Sequence, residues 1–221
     1  MARKEERGFT LVEIAIVLVI IGLLLGGILK GQEMITQAKI KNVIADMSGV
    51  SAAMYGYQDR YRALPGDDKG AVARWSIATA PTGTQGNGVV EGAYTAAGTE
   101  ALAFWDQLRR AGFVSGSGAE NPFNAVSGKM GVQTGDGSGA TPAGVLGTAA
   151  DTQLFSGLIL CSGNLPDKIA ISVDAQMDDG NGKAGSVRAM KGGGSPALVA
   201  KAAADTYTED GVSLYLSCRQ L

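Results

Sequence analysis

At 221 residues the chain has room for one medium-sized domain plus an anchor, and a formal charge of −2 gives no basis for general nucleic-acid binding. It contains no histidine, which removes the commonest general base and metal ligand. No nucleophile elbow, phosphate-binding loop or cysteine–histidine cluster is present either, so an enzyme, even a membrane-anchored one, is not expected.

The first predicted element is apolar. From Phe9 to Leu29 only Thr10 and Glu13 are clearly polar, and a helix of about 20 such residues crosses the hydrocarbon core of a bilayer. A secretory signal peptide is the competing reading. Its apolar run is normally shorter, about 7–15 residues, and no pair of small residues two apart between Gly22 and Gly31 supplies a cleavage site. Arg3, Lys4 and Arg7 precede the span, so the positive-inside rule places the N-terminus in the cytoplasm and exports the rest. Glu13 is the anomaly. A charge at the centre of a span costs about 2.5–3.5 kcal/mol on insertion scales, and less near its end. Such an acid either finds a cationic partner or snorkels to the interface.

The stretch "RGFTLVEIAIVLVIIG" resembles the start of a type IV prepilin. The resemblance implies a leader over 1–8, cleavage between Gly8 and Phe9 by a prepilin peptidase, N-methylation at Phe9, and Glu13 as the acid of assembly. The new amine on Phe9 then supplies the cation that Glu13 lacks, within one helix or between copies. Type IV pilins, pseudopilins of type II secretion and competence pilins share this start. An assembly platform protein, an assembly ATPase, the inner membrane and other pilins of a homo- or hetero-polymer are the implied partners. The implied location is a single-pass inner-membrane protein with a periplasmic head, and a periplasmic or cell-surface filament after assembly.

The same helix is expected to continue over 30–64. Ile40, Val43, Met47, Val50, Met54, Tyr57, Tyr61 and Leu64 recur alternately three and four apart, an apolar stripe on one helical face. Leu64-Pro65-Gly66 stops it, because the residue before proline is driven out of the helical region. Thr10 to Leu64 as one helix would span roughly 80 Å. A coiled coil is the alternative partner for the stripe, but methionines and tyrosines make a poor zipper and the head needs an apolar surface. Gly22/Gly26 and Gly27/Gly31 have the spacing that permits close helix approach. Prepilin-like helices often carry a proline in this zone; here there is none between Phe9 and Leu64, and the glycines take its place as the expected point of local extension.

The head, 65–221, reads as one exported α+β domain. "RYRALPGDD" resembles the helix-to-loop junction of some prepilin-like proteins. A short helix is predicted in "TEALAFWDQLRRAGFV", with Thr99 at its N-cap and Gly112 past its end. Residues 115–150 are poor in large apolar groups and are expected to be surface loop with short edge strands. Strands are predicted at 154–161, at 168–175 and at 212–218, where Val212, Leu214, Leu216 and Cys218 alternate to give one buried face. Packing that antiparallel sheet on the helix stripe gives a type IV pilin-like fold: a long N-terminal helix, its first half transmembrane (9–29), against a sheet with long loops.

Two further features carry chemistry. Cys161 and Cys218 are an even pair, expected to form one disulfide in an oxidising compartment, with two free buried thiols as the alternative. Closing that loop would add about 4 kcal/mol by chain entropy. Asp174, Asp178, Asp179 and Asn181 set hard oxygens around a glycine-rich turn, which suits calcium by ligand type. The segment also resembles a turn near the C-terminus of prepilin-like heads, where some type II pseudopilins bind calcium. An ordinary hydrogen-bonded turn uses the same residues, so both readings stand. The basic pairs Arg60/Arg62 and Arg109/Arg110 offer a foothold for DNA, although solvated surface charge explains them more simply. The expected function is a pilin or minor pilin of a type IV pilus or related filament. A type II secretion pseudopilin is the alternative.

Overall fold

A computed structural model describes residues 10–147, 153–192 and 203–221; Gly8 and Phe9 lie outside this set. The chain divides into two compact units, Met1–Ala38 and Lys39–Leu221. Helix α1 runs from Leu11 to Tyr61.

In the larger unit the stripe is core. Ile40, Val43, Met47, Val50, Met54 and Tyr57 are all buried, joined by Ala53, so packing on the head and not a zipper uses this face. The helix ends three residues sooner than the proline implied. Arg62 adopts a left-handed φ of 55° and its N–H still reaches the Gln58 carbonyl at 2.8 Å. Leu64, outside the helix and just before Pro65, continues to pack on the core. Gly66 follows at φ 88°, where a Cβ would meet the Glu100 carbonyl at 2.5 Å. That approach lets the Gly66 N–H donate to Gln107 Oε1 at 2.7 Å and fixes the chain across helix α3.

Helix α2 is a single turn, Ala71–Trp75. Helix α3, Glu100–Arg110, matches the predicted helix, with Thr99 preceding it and Gly112 in a left-handed conformation two residues beyond. Four strands form one antiparallel sheet in the order β1-β2-β4-β3: β1 Met130–Thr134, β2 Leu158–Pro166, β3 Val187–Lys191 and β4 Leu214–Gln220.

Three strand expectations need correction. Residues 168–175 are not a strand but part of helix α4, Asp167–Met177. Ile169, Ile171 and Val173 alternate as in a strand, yet the buried set is Asp167, Ile169, Ala170, Val173 and Asp174, the spacing of one helical face. Asp167 in the first turn reinforces the helix start, its carboxylate accepting the Lys168 N–H at 2.7 Å. The predicted strand at 154–161 begins only at Leu158, its first part making just a bridge from Phe155 to Val145. The last strand is not half-buried: Tyr215, Leu216, Ser217 and Cys218 are all buried, whereas Val212 lies before it and is 82 % exposed.

The reason is that both faces of the sheet are covered. Val132, Leu160 and Tyr215 join one cluster with the stripe of α1 and with residues of α3 and α4. Ile159, Cys161, Leu216 and Cys218 join a second with Val90, Tyr94, Val145, Leu146 and Phe155 from the loops. The loop-rich 115–150 stretch therefore supplies core as well as surface: β1 is indeed an edge strand, but every residue of it is buried. Cys161 faces Cys218 across β2 and β4 with Cα atoms 4.0 Å apart, and the two form a disulfide.

Candidate functional site

The candidate site begins with what Glu13 does at the start of α1. Glu13 Oε2 accepts the Thr10 backbone N–H at 2.8 Å and the Thr10 hydroxyl at 2.7 Å. Thr10 Oγ1 in turn accepts the Glu13 N–H at 3.3 Å. This is a reciprocal capping box. It satisfies backbone donors that the first helical turn leaves open, and it places a carboxylate at the positive end of the helix dipole. The T-x-x-E spacing of Thr10 and Glu13 is a capping signal in the sequence itself, and it adds a local role to the membrane and assembly roles expected of Glu13. The acid is thus oriented by its own chain before any partner reaches it.

Around it the helix is bare hydrocarbon. The large apolar side chains from Leu11 to Leu29 lie 45–85 % exposed, and Glu13 is the one charged residue among them. Exposed apolar surface on this scale is unfavourable in water and calls for lipid or other helices. Mean hydropathy reaches 2.8 over the best 18-residue window, which by length and composition suffices to cross a membrane. At Gly22, Gly26, Gly27 and Gly31 nothing lies within 4 Å of where a Cβ would project, so each leaves a notch at which a second helix can approach. The helix is continuous through all four.

The acidic turn links α4 to β3. Asp174, Asp178 and Asp179 each offer an oxygen within 4.8 Å of the others, Asp174 buried and the other two exposed. Their hydrogen bonds are largely spoken for. Asp174 accepts the Gly180 N–H at 3.1 Å and the Tyr207 hydroxyl at 2.8 Å. Asp178 Oδ2 accepts the N–H groups of Ser186 and Val187 at 2.5 and 3.2 Å. Asp179 takes the Asn181 N–H, and Asn181 Oδ1 takes that of Lys183. Burial pushes the Asp174 carboxyl up, the Tyr207 hydroxyl and Gly180 N–H pull it back, and the charges of Asp179 and Asp178 add to the rise. Calcium takes about six to eight oxygens. The protein offers three carboxylates already engaged by donors, which fits a hydrogen-bonded turn better than a cation cage.

The basic pairs do not make a free patch. Arg109 donates to the carbonyls of Gly118 and Glu120 at 2.7 Å each, and Arg110 pairs with Asp106 at 2.7 Å. Arg62 reaches Asp59 at 3.5 Å and Arg60 lies over the Tyr61 ring.

A long apolar N-terminal helix with a four-stranded antiparallel sheet and accessory helices is an α+β architecture of the type IV pilin-like class. A family model described as the prokaryotic N-terminal methylation motif matches residues 3–29, so the chain carries the type IV prepilin-type motif. That motif marks a type IV pilin-like or pseudopilin precursor, processed by a prepilin peptidase and assembled into polymers, and the apolar helix points to membrane anchoring. Comparison with curated proteins finds no match.

Proposed function

We propose that the chain is a structural, non-catalytic subunit, a pilin or minor pilin, of a type IV pilus or a closely related filament. Cleavage between Gly8 and Phe9 frees an amine that is methylated on Phe9, and Glu13 of a neighbouring copy neutralises it. The supporting observation is a matched methylation motif laid over a helix whose only charge from Leu11 to Leu29 is Glu13. An acid that is costly in lipid alone and satisfied in the polymer favours assembly. The platform protein and ATPase extract the subunit from the inner membrane, leaving the head outside.

Mass spectrometry of the native protein tests the processing: a chain starting at methylated Phe9 is expected, and an intact Met1 leader rules it out. Glu13→Gln tests the assembly role, with fibre yield expected to collapse while membrane insertion persists. A type II secretion pseudopilin is the second reading, because the prepilin-type motif at residues 3–29 marks pilin-like and pseudopilin precursors alike. Neighbouring genes for a secretion channel or for a retraction ATPase separate the two.

A further inference from the structure

A second acid sits in an unusual setting, in the head. Glu100 opens α3 and its side chain is fully buried. Its Oε2 accepts the Glu91 N–H at 2.9 Å, but its Oε1 is buried with no hydrogen-bond partner. Gly83 lies directly against that carboxyl: a Cβ there would stand 2.6 Å from Glu100 Cδ and 2.7 Å from Oε1, and Gly83 adopts φ 139°. The loop 82–91 is thus folded over the acid. It is pinned at one end by the Thr82 N–H on the Gly98 carbonyl at 2.8 Å, and at the other by Glu91 on Glu100 and Ala101.

The charged groups facing Glu100 from the packed segments are two more acids, Asp67 and Glu91, both buried. Asp67 is wrapped by the N–H groups of Gly86, Asn87 and Gly88. Glu91 Oε1 accepts the Thr84 N–H at 3.1 Å and the Asn87 amide at 2.8 Å. Farther out, Asp68 is paired with Arg74, and the methylenes of Lys69 lie against Gly86. Among the described residues no ion pair reaches Asp67, Glu91 or Glu100. The three do not bring their oxygens together as the Asp174 cluster does, so a shared divalent cation is disfavoured. Three buried carboxylates without a cation are costly together, and the cheapest relief is one proton.

We propose that Glu100 is a proton-binding latch: when protonated it lets the 82–91 loop close over the first turn of α3, and its ionisation loosens that loop. Burial, with the Asp67 and Glu91 charges and against the Glu91 N–H, pushes its carboxyl up from the usual 4.5 to about 7. A raised value means the folded head holds a proton the unfolded chain has lost. The stabilisation is therefore full below about pH 4.5 and fades as pH rises through about 7. The chain has no histidine, the side chain that ordinarily titrates between pH 5 and 8. The loop also lines both neighbouring grooves, through Gly86 and Gly88 beside Tyr61 and Arg74 and through Thr82 beside Leu102. Its opening would reshape the surface there.

Hydrogen exchange on the full chain in detergent micelles, corrected for the intrinsic pH dependence, tests the latch. Peptides covering 82–91 are expected to exchange about tenfold faster at pH 8 than at pH 5.5. Glu100→Gln places a neutral amide in the same space and is expected to keep the loop slow at both pH values. Equal protection of the parent loop at both pH values overturns the proposal, and so does an unchanged pH response in Glu100→Gln. If that variant does not fold, Glu91→Gln decides. It keeps an oxygen for Thr84 and Asn87 but removes a charge, so the midpoint should fall; a midpoint that stays put overturns the latch.

Discussion

Thr10 and Glu13 tie the helix start together through three hydrogen bonds. Thr10→Ala removes the hydroxyl from two of them and should weaken the first turn by about 1 kcal/mol. The measurement is faster amide exchange at residues 11–14 in micelles; unchanged exchange there would mean that the capping box contributes nothing. In the head, the Tyr57 hydroxyl is buried and donates to Asp68 Oδ2 at 2.7 Å, where Arg74 also binds at 2.7 Å. Burial pushes the Asp68 carboxyl up, but Arg74, Tyr57 and the Gly70 N–H together hold it below the usual range. Its contribution is thus present above about pH 4 and is lost as pH falls further. Tyr57→Phe keeps the ring packing and strips one donor, so a loss of about 1–2 kcal/mol in denaturant melts is expected.

Between elements, the physics of the α1 stripe was legible because one apolar period runs unbroken from Ile40 to Tyr57, and only core packing or a zipper uses such a face. Helix α3 was legible too, since Thr99 and Gly112 flank it and its apolar spacing holds, although the Thr99 hydroxyl donates to the Ala96 carbonyl instead of capping the helix. What misled was α4. Ile169, Ile171 and Val173 satisfy a period of two, and the helical pattern depends on Ala170 and Asp174, a small residue and an acid that hydropathy does not score. The capping box has a local signal, the T-x-x-E spacing of Thr10 and Glu13, whereas the buried setting of Glu100 has none, because it depends on the 82–91 loop folding over α3. The corrected helix has a test. Val173→Ala, at a fully buried site, should cost about 1–2 kcal/mol, and Ile171→Ala, half-exposed, distinctly less. Comparable losses at both positions would argue for the strand.

At the scale of the molecule, contacts divide after Ala38, and the buried stripe begins at Ile40. A fragment Lys39–Leu221 should therefore fold by itself and stay monomeric without detergent, with a single cooperative melt. Aggregation or a broad transition in gel filtration and calorimetry would show that the apolar segment is needed for folding. Because the Asp174 turn is satisfied by its own donors, millimolar calcium should move that melt by less than about 1 °C, whereas a ligand at 100 times its Kd would add about 2.7 kcal/mol.

The covalent stitch between Cys161 and Cys218 lies between neighbouring strands, and β4 is the last element of the chain. Tension applied at the carboxyl end is consequently delivered through a bond into the middle of the sheet instead of unzipping it rung by rung. Reductant would leave that load to the hydrogen bonds β4 makes with β2 and β3 and to packing alone.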